Sequence, residues 1–409
     1  MSGKFFKKTM NDVPLKGKTV LVRADYNVPI SSDGKVGDDY RIRMSVPTIT
    51  ALLKQSCKVV VMSHLGRPEG KTDPAYSLEP AASRLAELIG EPVRFVDRCV
   101  GDKARMAVKQ APARSVIVLE NLRFHPEEEA NDTSFAEQLA KDSGAELFIQ
   151  DGFGVVHRAH ASTDAITHFL PSVSGLLLER EYMTITTAMQ SPKRPLVAVL
   201  GGAKVSDKIG VIEALVDVAD TIIIGGAMAN TFLADQGISV GKSKAETGQH
   251  DVIESIYKKA IEKVGESRVD SFLVMPVDVG VGTSTEPTAT RQDVSVRDIP
   301  ADTMALDLGP ETSKLINSII SRAHTVIWNG TLGYAEVPAF RTASAALAKS
   351  LVEKEDVFSL VGGGDTADFV INWDSRRGES FDHVSTGGGA SLELMSGKKL
   401  PGVEALLDA

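Results

Sequence analysis

Runs of β-branched and aliphatic residues recur along this chain, spaced widely enough to leave room for a helix between them. In the first half they are TVLVR (19–23), KVVVMSH (58–64), VRFV (93–96), SVIVLEN (115–121) and ELFIQD (146–151). In the second half they are LVAVL (196–200), TIIIGG (221–226), SFLVMP (271–276), TVIW (325–328), VFSLV (357–361) and DHVS (382–385). Most are apolar throughout and do not alternate, the pattern of parallel strands covered on both faces. Stretches such as SLEPAASRLAELIG read as the intervening helices, with Gly90 placed to stop that one. The pattern predicts two doubly wound α/β domains. GLLLEREYMTITTAMQSPKRP (175–195) reads as one long helix, about 175–190, ended by Ser191-Pro192 and Pro195. It is the expected connector, with domains over 1–174 and 175–394.

Open α/β sheets bind ligands beyond the carboxyl ends of their strands, so the residues just after each run carry the chemistry. In the first half these are charged: Arg23, Asp25 and Asn27; His64 and Arg67; Asn121 and Arg123; then His157, Arg158 and His160. One such cation is an ordinary surface group. Several on one rim repel one another unless a small multiply charged anion joins them, and guanidinium groups suit bidentate carboxylate or phosphate contacts. Asp25 and Asn27 are placed to orient a hydroxyl. In the second half the strand ends are glycines: Gly201-Gly202, Gly225-Gly226, Gly330, Gly362 to Gly364 and Gly387 to Gly389. Any single pair is a tight turn, but several on one edge predict a ligand lying against backbone amides and helix N-termini, as a nucleotide's phosphates do. Lys204 and Lys208, four apart after Gly201-Gly202, are expected on one face of the following helix.

Composition narrows the classes. The 409 residues are 43% hydrophobic and 24% charged, an ordinary globular balance. Residues 1–174 carry a net charge of +1 and 175–409 a net of −10, so neither half has the excess of a nucleic-acid binder. An acidic half that holds a polyanion needs local cations or a divalent metal. MSGKFFKKTMNDVP lacks an apolar h-region and no run of about 18 apolar residues occurs, so neither export nor membrane spanning is expected. Cys57 and Cys99 read as reduced core thiols, and the expected location is cytoplasmic.

Three local patterns mislead. GISVGKS (237–243) has three residues between its glycines where a phosphate-binding P-loop has four, and it follows a helix-like stretch. GGGDTA (362–367), with Asp382 downstream, fits a dinucleotide fingerprint and keeps an NAD-type dehydrogenase as the competing reading. His157 and His160 have no third metal ligand nearby. A non-catalytic binding protein is the alternative of a different class.

With those residues in view, the chain resembles the phosphoglycerate kinase family nearly end to end. RADYNVP, SHLGRP, LENLRFH, HRAHAST, GGAKVSDK, WNGTLGYAE, GGGDTA and STGGGASLELMSGKKLPGV occur in the family's order and spacing. The resemblance implies two Rossmann-like doubly wound parallel-sheet domains facing a cleft, in a monomer whose C-terminal segment, about 395–409, returns to the first domain. It implies reversible phosphoryl transfer between 1,3-bisphosphoglycerate and Mg-ADP, giving 3-phosphoglycerate and Mg-ATP, with no nucleic acid or membrane partner. On the first domain it implies that Asp25 and Asn27, helped by Arg23, take the hydroxyl and carboxyl region of phosphoglycerate. His64, Leu65, Gly66, Arg67, Arg123 and Arg158 would hold its charged ends, and Arg41 would reach the transferred group. On the second it implies Lys204 and Lys208 at the nucleotide phosphates and Glu336 at the ribose. Gly363, Gly364, Asp365 and Thr366 would lie at the phosphates and metal, Asp365 nearest Mg²⁺, with Gly387, Gly388 and Gly389 near the transferring group. Thr331 and Ala335 stand where the family usually has a proline and an aromatic, and Gly152, Val155 and Val156 vary another stretch; none removes a charge.

Overall fold

In the first half the apolar runs become β1 (Thr19–Arg23), β2 (Lys58–Met62), β3 (Val93–Val96), β4 (Ser115–Leu119) and β5 (Leu147–Gln150), joined by β6 (Ser172–Ser174). They form one parallel sheet in the order β3-β4-β2-β1-β5-β6. Between them run α1 (Tyr40–Lys54), α2 (Glu79–Ile89), α3 (Asp102–Gln110), the single turn α4 (Pro126–Glu129) and α5 (Thr133–Ser143). Gly90 and Gly144 end α2 and α5 in the left-handed conformation, with φ of 67° and 57°, which a glycine adopts without strain. Val20, Val22, Val59 and Val61 enter a core on one face, while Leu21, Val60 and Met62 enter a second core on the other. Burial on both faces is why these strands are apolar at every position.

The second half begins from α6 (Leu176–Gln190) and β7 (Leu196–Leu200), then α7 (Ile209–Val218), β8 (Thr221–Ile224), α8 (Gly226–Asp235), α9 (His250–Val264), α10 (Val269–Phe272) and β9 (Leu273–Val274). A three-stranded antiparallel sheet follows, β10 (Asp278–Gly282), β11 (Gln292–Ser295) and β12 (Met304–Leu308), with β10 in the middle. The chain closes with α11 (Pro310–Ile320), β13 (Thr325–Asn329), α12 (Thr342–Glu353), β14 (Phe358–Gly362), α13 (Gly364–Trp373), β15 (His383–Val384), α14 (Gly388–Met395) and α15 (Pro401–Glu404). The main sheet is parallel in the order β15-β14-β13-β7-β8-β9.

This computed structural model describes residues 4–409, and the chain divides into two units. Unit 1 runs to Met183 and takes in Lys399–Ala409; unit 2 is Thr184–Lys398. The division therefore falls inside α6 and not ahead of it at 174/175. The start of α6 stays with unit 1 because Leu177 N donates to the Asp151 carboxylate (2.9 Å) and Leu176 N to Thr48 Oγ1 (3.1 Å). Tyr182, two turns on, packs its ring against Phe5 and Phe6. The C-terminal segment is tied to unit 1 from several sides: Gly402 N donates to Val156 O (2.9 Å), Leu407 N to Ser172 O (3.0 Å) and Ala409 N to Phe6 O (3.1 Å).

Three expectations are corrected. The antiparallel sheet has no counterpart among the apolar runs: β11 is largely exposed, β10 contains two glycines, and β12 alternates. It is stabilised by a small core of its own, Leu233, Val279, Val281, Val296, Ile299 and Ala305. SFLVMP is strand only at Leu273–Val274, its first residues closing α10. Lys204 and Lys208 do not share a helix face, because α7 begins at Ile209 and both lysines precede it. Glu246 holds that segment as a loop, its carboxylate accepting from Val205 N (2.6 Å) and Ser206 N (3.1 Å).

Candidate active site

On unit 1 the loops leaving β1, β2 and β4 are joined to each other at the carboxyl edge of the sheet. Asn27 Oδ1 accepts from Gly66 N (2.9 Å), and Arg123 Nη1 donates to Gly66 O (2.7 Å). The Asn121 side chain accepts from Leu65 N (3.2 Å) and donates to Leu65 O (2.7 Å). Gly66 has φ +62°, and a Cβ there would strike the Tyr76 ring, so only glycine fits this turn. Arg41, in the first turn of α1, lays Nη1 on the Asp25 carboxylate (3.1 Å) and on Asn27 O (3.2 Å). Arg67 and Arg158 are exposed, and both charges act on Arg123.

Arg23 sits differently from the expectation that it helps at the ligand's carboxyl region. It is 1% exposed, beneath the edge, with Nε donating to Ser162 Oγ (2.7 Å), Nη2 3.3 Å from His64 Nδ1 and 3.7 Å from Glu128. Glu128, fully buried, also accepts from Ser162 N (3.0 Å) and Ser162 Oγ (2.5 Å). Burial pushes the Glu128 carboxyl up and the Arg23 guanidinium down; their mutual attraction opposes both shifts, and the Ser162 bonds oppose that of Glu128. Burial, and then the charge of Arg23, holds His64 well below the usual imidazole range and His160 at about 4. Both imidazoles are therefore neutral near pH 7 and add no repulsion to the arginines. Glu128 and Ser162 escaped the sequence reading because HPEEE looks like a solvated helix start. The available signal was a run of acids directly after a cationic strand end.

On unit 2 the glycine-bearing strand ends meet backbone to backbone. A Cβ on Gly226 would lie 2.6 Å from Gly202 N, and one on Gly330 would lie 2.6 Å from Lys208 Nζ. A Cβ on Gly388, at the start of α14, would lie 3.1 Å from Gly364 N, at the start of α13, so two helix N-termini adjoin. Gly363 precedes α13, Gly387 and Gly389 flank Gly388, and Thr366 Oγ1 accepts from Gly330 N (2.7 Å). The Lys208 ammonium donates to Gly201 O (2.8 Å) and Asn329 O (2.9 Å), and burial lowers its pKa to about 8 against the opposing pull of Asp365 and Asp207. Lys204 is exposed on the same loop. Asn329 Nδ2, buried beside Gly362 and Gly363, has no hydrogen-bond partner among the described residues. A buried donor left unpaired beside a glycine cradle fits an absent acceptor, such as a phosphate oxygen.

Glu336 and Asp365 line one cavity of about 470 Å³ with Thr331, Arg341, Phe369 and Trp373. Asp365 is exposed and makes no hydrogen bond or ion pair with any described residue. Among the described residues no cluster of three or more acidic, histidine or cysteine side chains could cage a metal. One exposed carboxylate beside a glycine cradle still suits Mg²⁺, which takes most of its ligands from water and phosphate oxygens. Asp382 belongs elsewhere: it accepts from Ser359 N (2.8 Å) and Ser359 Oγ (2.9 Å) near the amino end of β14, the edge opposite GGGDTA. It cannot read a ribose held at that loop, and the dehydrogenase reading falls.

A family model described as phosphoglycerate kinase matches residues 10–398. Curated proteins named phosphoglycerate kinase from Pelotomaculum thermopropionicum and Chloroflexus aggregans are 47% and 45% identical to the chain, each over 98% of it and 99% of their own length. Among solved structures, the phosphoglycerate kinase of Coxiella burnetii is similar at a TM-score of 0.82 with 34% identity, and that of Pyrococcus horikoshii at 0.83 with 28%. Each alignment covers 98% of both chains.

Proposed function

The chain belongs to the phosphoglycerate kinase family, enzymes that move a phosphoryl group between a nucleotide and the carboxyl group of 3-phosphoglycerate, and we propose that each unit holds one substrate. Phosphoglycerate lies on the basic edge of unit 1. Asp25 and Asn27 orient its hydroxyl and carboxyl region, His64, Leu65, Gly66, Arg67, Arg123 and Arg158 hold its charged ends, and Arg23 positions His64 from below. The nucleotide lies on the glycine-lined edge of unit 2, with Glu336 at the ribose and Lys204, Lys208 and Gly363 to Thr366 at the phosphates. Asp365 is the residue that would hold Mg²⁺, whose charge offsets that of the phosphates beside an acidic unit.

The chemistry follows from charge. In the ATP-consuming direction the acceptor is a carboxylate, already ionised at neutral pH, so no general base is required. This accords with a site made of cations and backbone amides. Arg41, Lys208 and the amides of Gly387, Gly388 and Gly389 neutralise the equatorial oxygens of the moving phosphoryl group. Because the substrates sit on different units, transfer requires the units to bring the reacting atoms into line and exclude water. Both sites are on one chain, so a monomer suffices, and the reaction's small soluble substrates suit the cytoplasm. Among the described residues no helix is long and apolar enough to cross a membrane.

The joining of Asn27 and Arg123 at Gly66, with Arg41 bonded to Asn27 O, carries this reading. A coupled assay with 3-phosphoglycerate and Mg-ATP tests it. Arg41→Ala and Lys208→Ala are each expected to lower kcat at least ~10²-fold, the scale for losing one transition-state charge contact. Near-normal turnover in either variant removes that residue from the mechanism.

A further inference from the structure

We propose that Glu129 is a displaceable counter-ion: it occupies Arg123 while the acceptor site is empty and so sets the enzyme's affinity for phosphoglycerate. The inference rests on unit 1's basic edge being the acceptor site.

The edge gathers five arginines, and three carboxylates answer them from within the protein. Asp25 pairs with Arg41 at 3.1 Å, Glu128 with Arg23 at 3.7 Å and Glu129 with Arg123 at 3.1 Å. These three acids are not equivalent. The Asp25 and Glu128 side chains are 4% and 0% exposed, whereas that of Glu129 is 47% exposed. Asp25 also accepts from Asn27 N (3.2 Å) and Glu128 from Ser162, so neither leaves without stranding other groups. Glu129 has no second partner among the described residues and closes the single-turn α4 at the surface, so it can swing into water by breaking one ion pair.

Arg123 is the reverse, a fixed cation. It is 7% exposed, anchored by Nη1 on Gly66 O (2.7 Å), with Nε buried and unpaired. Only Nη2 is free to exchange partners, and Glu129 sits on it. A phosphate or carboxylate arriving at Arg123 therefore exchanges one anion for another, and its observed affinity is the difference between the two contacts. In the empty site the same carboxylate relieves the repulsion that Arg67 and Arg158 exert on Arg123.

Glu129→Gln keeps the shape and removes the competitor. Its KM for 3-phosphoglycerate is expected to fall about three- to tenfold, the range for a half-exposed charge pair. The KM for ATP is expected to stay put, while inorganic sulfate, a dianion that cannot react, inhibits at correspondingly lower concentration. Glu129→Asp, which keeps the charge, should retain a KM above that of the Gln variant. A purely structural Glu129 would misplace Arg123 on removal and raise the KM, so the direction of change separates the two roles. Arg123→Ala runs in parallel. If it raises the KM while Glu129→Gln leaves it unchanged or raises it, the counter-ion role is overturned alone. If Arg123→Ala leaves the KM unchanged, Arg123 is not in the acceptor site and both readings go.

Discussion

Lys208 shows how a single residue's environment sets its working range. Its ammonium rests on two backbone carbonyls in a largely desolvated spot, and burial brings the pKa from 10.5 to about 8. The side chain is charged below about pH 8 and loses its proton above it, whereas a bound triphosphate favours the charged form. Nucleotide binding at pH 8 to 9 should therefore take up a proton at Lys208, and KM for ATP should climb as pH rises past 8. Calorimetry in buffers of differing ionisation heat reads the uptake directly; equal proton uptake in Lys208→Met would assign it to another group. The site was only partly legible at this scale. His64, Arg123 and Lys208 could be singled out because charged side chains and glycines follow strand ends, whereas Arg41, inside α1, entered only through the family resemblance. Glu128 and Glu129 could not, since a fully buried glutamate and a half-exposed one are adjacent letters of the same acidic run.

At the level of elements, α6 carries an unusual cap. Asp151, fully buried just after β5, accepts from Leu177 N through Oδ1, while Oδ2 has no partner. Burial raises its carboxyl from 3.8 to about 7, with the nearby Thr48 hydroxyl and the amides of Leu177 and Leu178 pulling the other way. A carboxyl raised in the folded state favours folding while protonated. That contribution is whole below about pH 4, declines between about 4 and 7, and is gone above 7. Asp151→Asn keeps the acceptor and removes the ionisation, so it should stabilise unit 1 at pH 8 by roughly 1–4 kcal/mol. Thermal melts at pH 8 and pH 4 check the sign: the gain must shrink toward acid, and a loss at both would show that the cap needs the charge. Elements also mark where sequence reading stopped. Strands buried on both faces are continuous apolar runs and stand out. The β10–β12 sheet is short, glycine-bearing and partly exposed, so its pairing is set by the small core beneath it and not by any run of its own. Likewise Lys204 and Lys208 at four-residue spacing resemble a helix face, but Gly202 at φ +92° and the Glu246 anchor keep that segment a loop.

For the whole molecule, the decisive feature is that unit 1 is made from both ends of the described chain. Lys7, 6% exposed, gives its three ammonium hydrogens to Glu404 O (2.8 Å), Leu406 O (2.9 Å) and Asp408 (2.7 Å), and Leu400, Val403 and Leu406 are buried alongside. Deleting residues 399–409 removes all three hydrogen-bond partners of the Lys7 ammonium and uncovers apolar surface where Leu400, Val403 and Leu406 were buried, at a cost of about 3–5 kcal/mol or more. Hydrogen exchange is the discriminating measurement: amides of β1, β5 and β6 should lose protection while those of β7 and β13 keep theirs. Uniform loss over both units would mean that they unfold as one. Lys7→Met in the full chain should be far milder, because it removes the cation together with its need for partners.

This arrangement reverses the expected order of assembly on the ribosome. Domains tend to fold as they emerge, the first made folding first. Here residues 184–398 leave the exit tunnel before 399–409, so the unit translated second can finish while the one translated first still waits for its closing strap. A nascent chain whose residues up to 398 have cleared the tunnel would hold a folded unit 2 tethered to an unsealed unit 1, a species for chaperones to guard until residues 399–409 arrive.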